Sequence, residues 1–191
     1  VGTDFDYLKN LALGFACEVV DQSQAYGQLA VQGPDALAIV SQSAGVDLGV
    51  IRKMHFTELE VFDSPTLLAR SGYTGGDGFE IYCQREALHS WAEALVQVSE
   101  SYNLRWAGLA ARDSLRLEAG LPLHGHELSD QISPVQAGMG WSVKFDKPSG
   151  FVGRESLLSE KENGFAGHLG HYVVEGRRIP REGDTIMFEG I

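Results

Sequence analysis

Apolar residues along the chain switch between a spacing of three or four and strict alternation, and those switches divide it into elements. Phe5, Leu8, Leu11 and Ala12 carry helical spacing, so a short helix is predicted over residues 4–13, with Thr3 or Asp4 as its cap. Strands are predicted over about 15–20 and 27–32. Gly33-Pro34 then opens a helix through Val40, with proline at a first-turn position where its missing N–H costs nothing. Between 54 and 83 the pattern changes to β: Phe56, Leu59 and Val61, then Leu67-Leu68-Ala69, then Phe79-Glu80-Ile81-Tyr82 read as neighbouring antiparallel strands. The glycine-dense turn 72–78 joins the last two.

Leu88, Trp91, Leu95 and Val98 form one apolar stripe, predicting an amphipathic helix over 86–99. A second helix is predicted over 107–119, closed by Gly120 with Pro122 beyond. After a polar loop at 124–134, the alternation Trp141-Ser142-Val143-Lys144-Phe145 predicts a strand and 151–161 a helix. Residues 168–191 read as short strands separated by glycine and proline. The fold class is α+β, with a mixed or antiparallel sheet, flanking helices and the start of a β-rich C-terminal domain. No internal repeat or low-complexity segment interrupts it.

Charge narrows the function classes. With 15 Lys and Arg against 26 Asp and Glu in 191 residues, the net charge of −11 disfavours phosphate backbones and anionic lipid. Nucleic acid and membranes are not expected partners. No apolar run approaches the ~18 residues that span a bilayer, and Val1-Gly2-Thr3-Asp4 is not a targeting segment. The start at Val1 without methionine reads as a fragment of something longer. Cys17 and Cys83 lie in strand-like runs, far apart and outside any CxxC pair, and read as buried free thiols of a reducing compartment. Such a compartment, the cytoplasm for example, is where the protein is expected.

Three groups of residues are candidates for chemistry. Gly72-Tyr73-Thr74-Gly75-Gly76-Asp77-Gly78 has the glycine content of a phosphate loop, but no Lys-Ser/Thr follows and it leads into a strand instead of a helix N-terminus, so a nucleotide P-loop is rejected. What is left is a glycine-shaped connection or a loop whose backbone approaches a ligand beside Glu80. His124-x-His126, with Glu127 and Asp130 nearby, lacks a third metal ligand at recognisable spacing, so no metal is expected. Arg112 and Arg116, four apart, suit either surface ion pairs with Asp113 and Glu118 or, for Arg112, a cleft that holds a carboxylate.

Four ordered blocks together identify a resemblance: Arg70 through Ile81 (RSGYTGGDGFEI), Ala107 through Leu121 (AGLAARDSLRLEAGL), Pro134 through Trp141, and Phe151 through Glu155 (FVGRE). They resemble the aminomethyltransferase, or T protein, family of the glycine cleavage system. The resemblance extends more weakly over Asp4-Phe5, Val31-Gln32-Gly33-Pro34 and 168–191. Where the family usually has Glu in its glycine loop, this sequence has Gly76.

The resemblance implies a tetrahydrofolate-dependent aminomethyltransferase that takes a one-carbon unit from a lipoylated H protein and releases ammonia. It implies a folate-binding core over 1–163 and an incomplete β-barrel-like domain over 164–191. Asp4 would be the catalytic carboxylate at the reactive edge of tetrahydrofolate. Glu80, Arg112 and Tyr73 would be folate-binding residues, with Glu80 and Arg112 facing a common cavity lined by the 72–78 loop and the 107–119 helix. The chemistry agrees: a carboxylate accepts twice from a pterin donor edge, and a fixed carboxylate stabilises iminium-like charge developing during transfer. A charge of −11 is at odds with docking an acidic carrier. The alternatives are a folate-dependent demethylase or sarcosine-type oxidase domain of the same fold, and a non-catalytic folate-binding protein of the iron–sulfur-assembly type. The last has a K-G-C-[FY]-x-G-Q-E signature, in which Gly150 here replaces the cysteine.

Overall fold

A computed structural model of the chain describes residues 2–165, 167, 169–176, 179–181, 183–185 and 187. The chain divides into two compact units, Val1–Leu121 and Pro122–Ile191.

The first unit is built on a four-stranded sheet. Its elements run α1 (Gly2–Leu11), β1 (Tyr26–Gln32), α2 (Ala36–Ala44), β2 (Phe56–Val61), β3 (Ser64–Ala69), β4 (Gly78–Gln84), α3 (Leu88–Tyr102) and α4 (Leu109–Glu118). The sheet order is β1-β4-β3-β2, and every neighbouring pair is antiparallel. This is an α+β fold, as the pattern predicts.

Period-two alternation assigns the two faces of the sheet. Val31, Leu68, Phe79, Ile81 and Cys83 point to one side and are buried with Ala36, Ile39 and Val40 of α2 and Trp91, Leu95 and Val98 of α3. The stripe read from the sequence is the one α3 buries. Each large side chain fully withdrawn from water contributes about 1.5–3 kcal/mol, so this layer dominates the stability of the unit. The β2–β3 hairpin turns through Phe62 (φ 54°) and Asp63 (φ 53°), the left-handed pair that a two-residue hairpin turn requires. A phenylalanine is costly there. Its ring meets Trp91 edge-on with centroids 5.3 Å apart, which offsets part of that cost.

Two elements differ from expectation in this unit. Residues 15–20 form no strand, because their alternation finds no ladder partner among the described residues. Cys17 is accordingly exposed, not buried. Cys83 is buried, and burial pushes its thiol pKa up. The remaining predicted helices and strands form with ends shifted by a few residues.

The second unit is mostly turns, with α5 (Arg154–Asn163) as its one α-helix among the described residues. Trp141–Phe145 is not a strand: Gly140–Ser142 forms a 3-10 turn, and alternation without a pairing edge does not make a ladder. Arg154 Nε donates to the Phe145 carbonyl at 2.9 Å, and Ser133 Oγ donates to the Glu160 carboxylate. The described residues of 168–191 form no strand. The rest of that predicted stretch, including His168, lies outside the described residues.

Candidate functional site

The second face of the sheet is open and mixes polar with apolar side chains, and Glu80 stands in its middle. The β1 and β3 residues paired with Glu80 are Ala30 and Ala69, so both flanks of the carboxylate are low. One row along, Gln28 of β1 pairs with Tyr82. Gln28 Nε2 donates to Glu80 Oε1 at 2.9 Å and to the Tyr82 hydroxyl oxygen at 3.1 Å. Ser71 Oγ donates to Glu80 Oε2. Burial, and then the Glu80 charge and a hydrogen bond with it, push the Tyr82 phenol pKa up, so Tyr82 stays protonated at neutral pH.

The loop that delivers Ser71 is pinned at its base. Arg70 grips Asp77 through two donors, Nε to Oδ1 at 3.1 Å and Nη2 to Oδ2 at 2.6 Å. Its Nη1 donates to the Ile51 carbonyl at 2.9 Å. The hydrogen bond from Arg70 holds the Asp77 carboxyl below its ordinary pKa, as expected of a bidentate pair. Inside the loop lies Gln32, whose Nε2 donates to the Ser71 carbonyl at 3.2 Å and whose Oε1 accepts from Thr74 Oγ1 at 3.3 Å. A Cβ at Gly72 or Gly78 would collide with that amide. A side chain at either position would require the Gln32 amide to move.

The far side of the loop touches α4. Arg112 is exposed, and its guanidinium lies 4.6 Å from the centroid of the Tyr73 ring, within cation–π range. At Gly75 (φ 76°) a Cβ would come within 2.8 Å of the Ala119 Cβ, so the loop tip sits against the end of this helix. That end closes as predicted: Leu121 N donates to the Arg116 carbonyl at 2.8 Å and Gly120 N to Leu117 at 3.0 Å, the two bonds of a Schellman motif. Arg116 is not the surface residue its polar surroundings suggest. It is buried at 3% exposure, pairs with Asp113 at 2.7 Å and donates to the Leu121 carbonyl.

The structure therefore joins Arg112 to Tyr73, and joins Glu80 to the same loop through Ser71. Asp4 stands apart from these contacts, exposed in the first turn of α1, a helix that buries none of its side chains. His124 is exposed and sits in an isolated bridge with Leu128. His126 and Glu127 line an open cleft of the second unit. Among the described residues no group of three His, Cys, Asp or Glu is gathered, and no helix is long and apolar enough to cross a membrane.

Gln28, Gln32 and Ser71 were not legible as site residues. Their roles arise from cross-strand register, which links Gln28 to Glu80 across 52 positions. The only local signal is the pair of glycines flanking the loop.

Comparison with known proteins matches the chain to one family. Residues 2–147 match the model of the GCVT N-terminal domain. The aminomethyltransferase of Caldanaerobacter subterraneus subsp. tengcongensis is 40% identical over 185 residues, covering 96% of this chain and 49% of that protein. The aminomethyltransferase of Bacillus mycoides is 43% identical over 179 residues, covering 93% and 49%. The crystal structure of glycine cleavage system aminomethyltransferase T from Bartonella henselae superposes with a TM-score of 0.74 at 36% identity, covering 86% of this chain and 44% of that one. The chain thus spans about half the length of the curated relatives it matches. On the family match and these identities, it belongs to the GCVT N-terminal domain family.

Proposed function

We propose that this chain is the folate-binding part of a tetrahydrofolate-dependent aminomethyltransferase of the glycine cleavage system. Residues 1–163 are its folate core and 164–191 the start of a C-terminal β-barrel-like domain. The enzyme takes the one-carbon unit from aminomethyl-loaded, lipoylated H protein: the carbon–sulfur bond breaks and returns the dihydrolipoyl thiol, the carbon bonds N5 of tetrahydrofolate, and a second nitrogen of the same folate then displaces the amine as ammonia. It works in the cytoplasm, or in the mitochondrial matrix of a eukaryote.

The observation that supports this reading most strongly is the convergence on one loop. Arg112 stacks on Tyr73, and Glu80 accepts from Ser71 of the same loop, although the two motifs are 32 positions apart by residue number, 112 − 80. Two groups suited to folate support the reading. A carboxylate in a sheet accepts the pterin N–H edge, and a guanidinium beside an aromatic ring serves an anionic or carbonyl acceptor. Glu80 and Arg112 facing a common cavity is part of the proposal. Asp4 is the catalytic carboxylate, stabilising the iminium-like cation that develops as the carbon–sulfur bond breaks.

The test is an assay with aminomethyl-loaded H protein and tetrahydrofolate, read by ammonia release. Tetrahydrofolate-dependent ammonia supports the proposal. Folate binding without ammonia release replaces it with the demethylase or sarcosine-type oxidase reading, which the net charge of −11 accommodates by removing the acidic carrier. No binding of tetrahydrofolate overturns it.

A further inference from the structure

The Glu80 carboxylate carries two donors from two different parts of the fold, and neither donor belongs to the residues named so far as site residues. Gln28 comes from β1, two positions along the open face from Ala30. Ser71 comes from the pinned base of the glycine loop. Each engages a different oxygen: Gln28 Nε2 reaches Oε1 at 2.9 Å, and Ser71 Oγ reaches Oε2. A glutamate on a strand has three rotatable bonds and loses that freedom on ordering. Two donors on opposite oxygens fix the plane of the carboxylate, while each oxygen keeps a lone pair for a further donor.

We infer that Gln28 and Ser71 are positioning residues of the Glu80 carboxylate, holding it in the orientation that accepts a flat donor edge. The inference rests on the folate reading above and assigns the residues that prepare its acceptor. Two further features support it. The donors are themselves fixed: Gln28 also donates to Tyr82, and Ser71 follows the Arg70–Asp77 clamp while its carbonyl accepts from Gln32. The approach is open, because the paired residues on both sides of Glu80 are alanines. Each alanine Cβ lies about 4.5–5.5 Å from that of Glu80, so a planar ring resting over one of them lies beside the carboxylate with its edge toward it.

The ligand meets an acceptor whose ordering cost was met during folding, and such preorganisation appears as affinity. Removing one donor leaves Glu80 in place with its carboxylate held by a single hydrogen bond, so its plane is no longer fixed. Binding weakens without loss of the chemical step, since neither donor touches the reacting atoms.

The experiment measures tetrahydrofolate binding by titration calorimetry and steady-state kinetics on the full chain. It compares wild type with Glu80→Ala, Gln28→Leu, Ser71→Ala and Ser71→Thr, with thermal unfolding of each variant as a control on folding. The expected result is a folate KM raised about tenfold in Gln28→Leu and in Ser71→Ala, the size of one hydrogen bond to a charged group. kcat stays unchanged, the midpoint of unfolding is within a degree or two of wild type, and Ser71→Thr, which keeps the hydroxyl, recovers wild-type KM. A normal KM in both Gln28→Leu and Ser71→Ala, with Glu80→Ala defective, overturns the inference and leaves the folate reading standing. A Ser71→Thr variant as defective as Ser71→Ala also overturns the hydroxyl's role. Wild type and Glu80→Ala binding tetrahydrofolate equally, or not at all, overturns the folate reading and the inference with it.

Discussion

Along β4 the same seven residues serve two opposite environments. Phe79, Ile81 and Cys83 are fully withdrawn from water beneath α2 and α3, while Glu80 and Tyr82, one step away on the same strand, stand on the open face among Gln28, Ser71 and two alanines. The packed face depends on volume and apolar area, so it tolerates any combination of side chains that fills it. The open face depends on particular donors at particular oxygens, and volume there is kept low on purpose by Ala30 and Ala69. On the folate reading proposed above, stability and recognition are separated by the pleat of one sheet, and substitutions on the two faces are expected to fail in different ways.

The largest effect is expected on the packed face. Trp91→Ala removes the biggest fully buried side chain and the ring that supports Phe62 in the hairpin. Denaturant unfolding should show a loss of about 3–5 kcal/mol. A loss under 1 kcal/mol would mean that the two faces share the work of stability. On the proposed catalytic carboxylate, Asp4→Asn is expected to lower kcat on the order of 10²-fold with little change in folate affinity, as befits a group acting on charge present only in the transition state. Near-normal turnover in steady-state assays would take Asp4 out of the mechanism.

Glu80→Ala inverts the Trp91 result. Unfolding should shift by no more than about 1 kcal/mol, while calorimetry should report folate affinity lower by roughly ten- to a hundred-fold. A variant that is equally defective in folding would erase the distinction between the faces. The smallest effect concerns pH. The Asp77 carboxyl is held below its ordinary pKa by the hydrogen bond from Arg70. Its contribution is therefore complete above the unfolded-state carboxylate value of about 3.9 and is lost as pH falls through the lower folded-state value. Asp77→Asn should flatten the acid limb of a stability–pH curve by on the order of 1 kcal/mol and leave stability above pH 5 with no altered slope. An unchanged acid limb would show that the clamp is not linked to folding.

Much of the packed face can be read along the chain, because burial repeats at short range. Leu88, Trp91, Leu95 and Val98 announce α3 by spacing alone, and the strands around Leu68 and Ile81 alternate openly. The segments that mislead do so for one reason: 15–20 and 141–145 alternate too, yet alternation specifies which face a strand would bury and not whether an edge is there to pair with it. On the open face the ordered motifs point to Glu80, Tyr73 and Arg112, but Gln28, Gln32 and Ser71 look like ordinary surface polar residues. What the two glutamines touch is decided by register across 39 to 54 positions, information absent from any local window, while Ser71 meets Glu80 across the 9 positions of the loop. Arg116 misleads in the opposite sense, since a charged residue beside Asp113 reads as solvated until the helix end folds over it.

The two glutamines of β1 have a consequence for folding fidelity. β1 must find β4 across some fifty intervening residues, a slow, late encounter for any chain. It arrives with a poorly marked face: of its seven positions only Val31 is buried, and Gly27 has no side chain to declare a side. A slip of one residue would turn the strand over, and hydrophobic preference would penalise that error weakly. In the slipped register Gln28 and Gln32 would face the packed layer with their amides unsatisfied, at a penalty of about 1–3 kcal/mol each, while the cavity between Gly72 and Gly78 stood empty. The glutamines and the glycines that receive one of them act together as a lock and key for alignment, so that the open face proofreads the assembly of the sheet that carries it.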